Sequence, residues 1–255
     1  MPPEPANGNA PVAVVTGGAG GLGAAICRGL AEAGFAVVVA YRSSAAPARA
    51  LAAELPGNGH RAMQASVTDS DSLQALAAQV REAYGRADVL VNCAGTTRFV
   101  AHADLDALDD ALIDEILATN VRGAVAATRA LLPLLHESAL PGGGVVVNIS
   151  SIAARTGMGS NIAYCASKAA LDNLTLSLAR ALAPQVRVVS VAPGLVDTDF
   201  VKSLDVEWRD RQCASTPLGR LAAPEEIGRA VVIAVRDLTF STGCILPVDG
   251  GRPLL

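Results

Sequence analysis

The chain has 255 residues, of which 51% are hydrophobic and 17% are charged. This composition excludes an intrinsically disordered chain, which needs low hydrophobicity and high charge. The formal net charge of −4 lacks the basic excess that nucleic-acid-binding proteins normally carry. A chain of this length can still be organised around one hydrophobic core, so we expect a single domain.

The N-terminal segment 1–10 has neither the basic nor the apolar region of a secretory signal. We therefore expect a flexible tail over residues 1–10 and one domain over residues 11–255. Charged residues, glycine or proline interrupt every long apolar stretch before the roughly 20 residues that a bilayer requires. The five cysteines are odd in number and widely spaced, without zinc-ligand spacing. These features predict a cytoplasmic protein with reduced cysteines and no metal.

Seven apolar runs of strand length recur along the chain, mostly separated by segments with helical spacing. The runs are nearly unbroken rather than alternating, as expected for strands that helices cover on both faces. They are Val12–Thr16, Ala36–Tyr41, Arg61–Ala65, Asp88–Asn92, Val145–Ser150, Val186–Val191 and Cys244–Val248. This alternation predicts an α/β fold with a parallel sheet and helical crossovers.

A glycine-rich turn over Thr16–Gly23 follows the first predicted strand and precedes a predicted helix over Ala24–Ala33. A strand, a glycine turn and a helix N-terminus together favour phosphate binding, because unpaired amides point at the turn. A tight turn without a ligand is the alternative interpretation. Two glycine spacings fit: Gly18, Gly20 and Gly23 match G-x-G-x-x-G, while Gly17, Gly21 and Gly23 match T-G-x-x-x-G-x-G.

The second predicted strand ends without the acidic residue that holds the ribose 2′-hydroxyl of NAD in many dinucleotide-binding folds. Arg42 stands there instead, followed by Ser43 and Ser44. A guanidinium and two hydroxyls can hold a 2′-phosphate through charge-assisted hydrogen bonds. This pattern favours NADP(H), and an exposed loop arginine without a ligand is the alternative.

A long helix is predicted over Leu108–Leu135, and Asn120 falls on its apolar stripe. A buried amide is costly unless it is hydrogen-bonded. Periodicity alone favours a structural tie from this helix to a strand as much as a catalytic role for Asn120.

Three polar residues follow the fifth predicted strand. Ser151 lies at its carboxyl end, where open α/β proteins place ligands. Tyr164 opens a predicted helix over Tyr164–Leu182, and the i,i+4 spacing places Lys168 on the same face. A phenol transfers protons at neutral pH when a nearby cation favours its anion, and Lys168 can supply that cation. Ser151 can hydrogen-bond a substrate carbonyl. Separately these residues are typical of packing, surface charge and capping; together they favour catalysis.

The segment Asp197–Pro217 interrupts the alternation of strands and helices before a helix that begins at Pro224. Such an insertion is a candidate substrate lid. It mixes charges with Phe200, Val201, Leu204, Val206 and Trp208, which indicates a partly apolar ligand.

After the tail, the sequence resembles the short-chain dehydrogenases/reductases over essentially its whole length, and among them the 3-oxoacyl-carrier-protein reductases. The matching motifs are TGGAGGLG at Thr16–Gly23, NCAG at Asn92–Gly95, Asn120, Ser151, YCASK at Tyr164–Lys168 and PGLVDT at Pro193–Thr198. The sequence departs from the family pattern at Cys93, which replaces the second Asn of NNAG, and at Ser66, which replaces an Asp. Both departures concern the adenine side.

The resemblance implies a Rossmann-type, doubly wound parallel sheet of seven strands in the order 3-2-1-4-5-6-7, with helices on both faces. It also implies that Tyr164 is the general acid or base and that Lys168 stabilises its anion and binds the nicotinamide ribose. By the same resemblance Ser151 orients the substrate oxygen, and Asn120 anchors a water in a proton relay.

The cofactor contacts that the resemblance and the turn chemistry predict lie along the carboxyl edge of the sheet. Besides Tyr164 and Lys168, they are Gly17, Gly21, Leu22, Gly23, Tyr41, Arg42, Ser43, Ser66, Val67, Asn92, Ala94, Gly95, Pro193, Gly194, Val196 and Thr198.

The sequence therefore predicts an NADP(H)-dependent oxidoreductase acting on the carbonyl or secondary alcohol of a small molecule. An NAD-dependent alcohol dehydrogenase of the same family is the first alternative. A non-catalytic dinucleotide sensor is the second, although it would not need Ser151, Tyr164 and Lys168 together. We expect a homotetramer or dimer, no nucleic-acid or membrane partner, and substrates that are not presented on an acidic carrier protein.

Overall fold

A computed structural model of the chain describes residues 10–203 and 205–254. Residues 1–9 of the predicted tail lie outside the described residues, as does Leu204 within the predicted lid.

Seven parallel strands form one sheet in the order β3-β2-β1-β4-β5-β6-β7, which confirms the predicted topology. The predicted bounds of β1 and β2 are confirmed, and those of the other five strands differ from the observed ones by one or two residues at their ends. The strands are β1 Val12–Thr16, β2 Ala36–Tyr41, β3 Arg61–Gln64, β4 Val89–Asn92, β5 Gly144–Ile149, β6 Val186–Pro193 and β7 Ile245–Val248.

Helices connect the strands and cover both faces of the sheet. They are α1 Gly21–Glu32, α2 Ala45–Glu54, α3 Ser70–Tyr84, α4 Asp110–Leu117, α5 Gly123–Leu135, α6 Ala153–Thr156, α7 Ile162–Leu182, α8 Asp199–Lys202, α9 Val206–Ala214 and α10 Pro224–Arg236. A short 3₁₀ turn, Arg252–Leu254, ends the described chain. No helix among residues 10–203 and 205–254 is long and apolar enough to cross a membrane.

Alternate residues of each central strand enter two separate hydrophobic layers, because successive side chains of a strand point to opposite faces. In β1, Val15 packs into the layer beneath α1 and α10, where Leu30 and Ile227 are fully buried. Val14 packs into the opposite layer, with Leu131 of α5. This double covering explains why the strands are unbroken apolar runs.

The first helix begins earlier than predicted, at Gly21 rather than Ala24. Two glycines of the turn therefore belong to the helix itself. A Cβ on Gly23 would lie 2.2 Å from the carbonyl oxygen of Gly17, so only glycine lets the helix begin this close to the turn.

The predicted helix Leu108–Leu135 begins at Asp110 and is interrupted by a π-helical turn over Ala118–Arg122. Its start is set by Asp109, whose side chain accepts a hydrogen bond of 2.8 Å from the Leu112 amide. The π turn contains Asn120, and such turns occur frequently at functional sites.

At the amino ends of the strands, Asp88 is fully buried and joins three segments of the chain. Its oxygens accept hydrogen bonds from the Val12 amide at 2.7 Å, the Arg86 Nε at 3.0 Å, the Ser138 hydroxyl at 2.8 Å and the Ala139 amide at 3.1 Å. These contacts stabilise the edge opposite to the one that carries the polar motifs.

Candidate active site

A cleft of about 450 Å³ runs along the carboxyl edges of β1, β2 and β4. Its wall brings together the glycine turn, the end of β2 and the loop after β4, as the sequence predicts. It is lined by Gly17, Ala19, Gly20, Gly21, Leu22, Gly23, Tyr41, Arg42, Ser43, Ser44, Ala65, Val67, Thr68, Cys93, Ala94, Gly95, Thr96 and Thr119.

The glycine turn packs tightly against the loop after β4 at Gly17 and leaves space at Gly20 and Gly21, which line the cleft. Gly17 has a φ of +66°, and a Cβ there would lie 2.9 Å from the Ala94 Cα. At Gly20 and Gly21 a Cβ would meet nothing closer than 3.5 and 3.6 Å. The N-terminus of α1 has no side-chain cap. Open space in front of uncapped amides suits the phosphates of a dinucleotide.

The end of β2 gives the cleft its charge. Tyr41 is buried, whereas Arg42 and Ser43 are exposed along the wall. The Arg42 carbonyl accepts a hydrogen bond of 3.0 Å from Gln64, which holds the backbone while leaving the guanidinium outside. Arg42 is the only charged residue among the described residues that line this cleft.

On the predicted adenine side, Val67 lines the cleft and packs against Gly123, where a Cβ would lie 2.8 Å from its Cγ2. The Ser66 hydroxyl is bonded to Thr68 Oγ1 at 3.0 Å. Ala94 and Gly95 line the cleft next to the glycine turn, and the Ala94 amide donates to Thr16 Oγ1 at 3.2 Å.

Asn92 points below the cleft rather than into it. Its Nδ2 donates to Asn148 Oδ1 at 2.9 Å and to Thr128 Oγ1 at 3.3 Å, and its Oδ1 is buried without a hydrogen-bond partner in the described chain. Asn148 in turn donates to Thr175 at 2.9 Å. Asn92 therefore belongs to a buried polar chain that joins β4, β5, α5 and α7.

Cys93, the departure from the family motif, lies in the same wall, and burial raises the pKa of its thiol to about 11. Lys168 nearby acts in the opposite direction but is the smaller effect. The thiol stays protonated at neutral pH, so Cys93 is a packing residue of the wall.

Tyr164 and Lys168 meet on one face of α7, as predicted. The helix begins at Ile162, which places Tyr164 in its first turn. Lys168 Nζ lies 5.6 Å from the centroid of the Tyr164 ring. The ammonium is buried and donates to the Ile149 carbonyl at 2.8 Å. The buried ammonium therefore lies beside the phenol ring, on the same face of α7.

Ser151 lies between β5 and α6, beyond the end of the strand. Its Oγ accepts a hydrogen bond of 3.1 Å from the Ala153 amide. This bond uses a lone pair of the hydroxyl, so the O–H proton can still be donated.

Asn120 joins its helix to the loop after β4 and to α7, whereas the structural alternative expected a tie to a strand. Its Oδ1 accepts from the Thr96 amide at 2.8 Å, and its Nδ2 donates to the Thr96 carbonyl and to Ser167 Oγ, each at 3.1 Å. The buried amide is therefore fully satisfied.

The motif Pro193–Thr198 begins at the carboxyl end of β6. The Pro193 carbonyl accepts from the Ile152 amide at 3.0 Å, and a Cβ on Gly194 would lie 2.9 Å from the backbone of Asp249. Val196 pairs with Ala222. Thr198 lies next to Gly21, with its Cβ 3.6 Å from the position of a Gly21 Cβ.

The predicted lid contains two short helices, α8 and α9, and α9 has no buried residue among those described. An ion pair of 2.9 Å between Arg209 and Asp197 joins α9 to the first residue of the predicted lid.

Five polar residues at or beside the cleft were not predicted from the sequence: Thr68, Thr96, Thr119, Asn161 and Ser167. Thr119 and Thr96 line the cleft, and Ser167 joins Asn120 to α7. Asn161 caps α7, and its Oδ1 accepts from the Tyr164 amide at 2.7 Å. The spacing of an Asn three residues before Tyr164 is an N-cap signature that could have revealed it.

The comparisons with known proteins agree with this geometry. Residues 11–208 match the family model for short chain dehydrogenase. The chain is 41% identical over 250 residues to a Streptomyces violaceoruber protein provisionally named granaticin polyketide synthase ketoacyl reductase 2, covering 96% of this chain and 97% of that one. It is also 41% identical over 244 residues to cis-4-hydroxycyclohexanecarboxylate dehydrogenase of Sinomonas cyclohexanicum, covering 94% and 95%.

A crystal structure of a Burkholderia xenovorans protein, provisionally assigned to the short-chain dehydrogenases/reductases, superposes with a TM-score of 0.89. It is 35% identical to this chain, and the superposition covers 98% of this chain and all of that one.

Proposed function

Because this chain belongs to the short-chain dehydrogenase family, we propose that its oxidoreductase activity on carbonyl or alcohol groups is NADP(H)-dependent and acts on small molecules. The family membership establishes an oxidoreductase that uses a nicotinamide cofactor. The choice of cofactor, the site residues and the substrate class are the parts that we propose.

Tyr164 is the proton donor in the reductive direction, and Lys168 is the cation that favours its anion. The supporting observation is their geometry, with the Lys168 ammonium 5.6 Å from the Tyr164 ring and buried beside the cleft. The Ser151 hydroxyl orients the carbonyl oxygen and stabilises negative charge on it. Asn120 supports the site from behind by fixing Thr96.

Bound in the cleft, the nicotinamide supplies the hydride, so the protein has to orient the substrate and move one proton. The Tyr164 hydroxyl gives its proton to the substrate oxygen as the carbonyl becomes an alcohol. In the oxidative direction the Tyr164 phenolate takes that proton back. Lys168 also has N–H donors beyond the one bonded to Ile149, and these can hold a ribose hydroxyl.

The remaining predicted residues hold the dinucleotide along the wall. Gly17, Gly21, Leu22 and Gly23 would contact the pyrophosphate, and Ser66, Val67, Ala94 and Gly95 would border the adenosine. The predicted contact from Asn92 is wrong, because its side chain is bonded to Asn148 and Thr128 below the cleft. Pro193, Gly194, Val196 and Thr198 face the nicotinamide. Tyr41, Arg42 and Ser43 surround the ribose 2′ position, and the absence of an acid among the described lining residues there supports NADP(H).

The substrate is a free molecule or an acyl thioester rather than a group on an acidic carrier protein, whose docking calls for a basic patch. The sequence suggests Arg155, Arg180, Arg187 and Arg209 as candidates for such a patch. Arg187 is buried and bonded to backbone carbonyls of α10, and Arg209 is paired with Asp197. Arg180 lies in the last turn of α7, about 24 Å along the helix from Tyr164. Of these four candidates, Arg155 lies in α6, which follows Ser151 closely.

A screen of carbonyls and alcohols with both cofactors, followed by nicotinamide absorbance, tests the proposal. It should include ketoacyl thioesters and hydroxycyclohexanecarboxylates, which the names of the two relatives suggest. We expect turnover with NADPH. Turnover with NADH alone would refute the cofactor assignment, and binding of a dinucleotide without turnover of any substrate would indicate a sensor. A strong, salt-sensitive preference for carrier-borne acetoacetyl groups would refute the substrate class.

A further inference from the structure

The side chain of Asn161 is 1% exposed and uses both ends of its amide at the start of α7. Its Oδ1 accepts from the Tyr164 amide at 2.7 Å. Its Nδ2 donates to the Arg98 carbonyl at 2.7 Å and to Thr97 Oγ1 at 3.2 Å. One buried side chain therefore joins the backbone of Tyr164 to the loop that follows β4.

That loop is held to the Tyr164 region by further contacts. The Val100 amide donates to the Ser160 carbonyl at 2.9 Å, and the Thr97 and Ser160 hydroxyls lie 2.5 Å apart. The loop begins at Gly95, where a Cβ would lie 3.8 Å from Lys168 Nζ. The same loop thus borders the site at one end and is fixed by Asn161 at the other.

Asn120 completes the arrangement from the opposite side. It fixes both backbone groups of Thr96 and donates to Ser167 Oγ, which in turn donates to the Tyr164 carbonyl at 2.7 Å. The backbone N–H of Tyr164 is therefore tied to the loop through Asn161, and its C=O is tied to it through Ser167 and Asn120.

We propose that Asn161 is a positioning residue that fixes Tyr164 relative to the loop 96–100 and thereby sets the phenol where it meets the substrate oxygen. The inference rests on the proposed role of Tyr164 as proton donor. Helix capping alone does not explain Asn161, because Ser or Asp would cap α7 equally well. Only an amide accepts from Tyr164 and also donates twice to the loop.

Two variants distinguish the helix cap that Asn161 provides from its hydrogen bonds to the loop. Asn161→Asp and Asn161→Ser both keep an oxygen for the Tyr164 amide, and both lose the N–H donors to Arg98 and Thr97. Asn173→Asp is the matched control, because it makes the same chemical change at an exposed position of α7. Thermal melts and titrations with NADPH first establish that each variant is folded and binds cofactor.

Hydrogen exchange of the peptide 96–102 tests whether Asn161 fixes the loop, and it does not depend on turnover. We expect exchange to rise about tenfold in both Asn161 variants and to stay unchanged in the control. Unchanged exchange in Asn161→Asp and Asn161→Ser would overturn the inference, whatever the activity of the enzyme.

Steady-state kinetics test the positioning. We expect kcat per folded site to fall about 10- to 100-fold, since small misplacements of a reacting group have effects of this size. The KM for the cofactor should change less than about threefold. A purely structural role would lower stability and leave kcat per folded site intact, and that result would also overturn the inference. Absence of turnover in the wild type would instead refute the proposed function, while the exchange measurement would still decide whether Asn161 holds the loop.

Discussion

The polar side chains of the site divide by how many of their hydrogen bonds are already made. Asn120 and Asn161 use both ends of their amides within the protein. Lys168 makes one bond of 2.8 Å to the Ile149 carbonyl, and an ammonium has three donors. Ser151 accepts one bond and keeps its proton. The remaining N–H donors of Lys168 and the hydroxyl proton of Ser151 can bind a ligand. The amides of Asn120 and Asn161 instead stabilise the structure around the site.

Replacing Tyr164 by Phe removes the phenol oxygen and little else. If Tyr164 transfers the proton, turnover should fall by about 10²–10⁴, the usual contribution of a positioned acid or base. Cofactor affinity, measured by direct titration, should remain nearly unchanged. Activity within about tenfold of the wild type would show that another group donates the proton.

At the 2′ position, Arg42→Asp should weaken or reverse the preference for NADP(H). The change removes the cation for the phosphate and offers a carboxylate to the ribose hydroxyls. Titration of the wild type and the variant with both cofactors measures it. Arg49→Asp, an exposed charge reversal on the neighbouring α2, serves as control. Tighter binding of NADH than NADPH by the wild type would contradict the assignment.

At the scale of elements, the strands could be predicted closely and the polar ties could not. Unbroken apolar runs such as Val12–Thr16 predict strands that helices cover on both faces. The proximity of Tyr164 and Lys168 follows from their i,i+4 spacing on a helix. The π turn at Ala118–Arg122 has no periodic signal, and its residue Asn120 is bonded to Thr96 and Ser167, which are distant in sequence. The contacts of Asn161 with Thr97 and Arg98 could not be predicted either, because these residues are also distant in sequence.

The start of α10 is an element whose stability depends on pH. Glu226 accepts from the Ala223 amide at 2.8 Å and from Arg220 at 2.7 and 2.8 Å. The hydrogen bond from Arg220 is the main cause that lowers the pKa of Glu226 to about 2. Because this pKa lies below that of an unfolded Glu, the contribution is present above about pH 4.5 and is lost as the pH falls toward 2.

Glu226→Gln should therefore lower the free energy of unfolding at neutral pH by about 1 kcal/mol, since the side chain caps the helix and is only partly buried. Denaturant unfolding at several pH values measures the difference from the wild type, which should shrink from pH 4.5 downward. Glu225→Gln changes an exposed carboxylate in the same turn and should have little effect. A difference that stayed constant down to pH 2 would contradict the linkage.

At the scale of the whole molecule, the edge strand β7 is less covered than the inner strands of the sheet. The residues of β7 are half-buried or exposed, whereas those of β1, β2, β4, β5 and β6 are buried throughout. Large apolar side chains are exposed in the C-terminal part of the chain, among them Leu218, Phe240 and Leu254. Exposed apolar surface beside an edge strand is typical of a contact face.

This surface supports the homotetramer that the family resemblance suggests, with contacts through α5, α7 and the β7 region. Light scattering coupled to size exclusion should give the mass of four copies at micromolar concentration. A monomer would contradict the prediction. A dimer would show that only one of these contact faces is used.

The cluster around Asp88 lies at the amino edge of the sheet, whereas the cleft, the lid and the loop after β4 lie at the carboxyl edge. Selection can therefore alter the exposed residues of the lid and the loop tips for new substrates without touching the contacts that fasten the strands. Stability and specificity draw on separate sets of positions, so this scaffold is well suited to acquiring new activities through loop libraries.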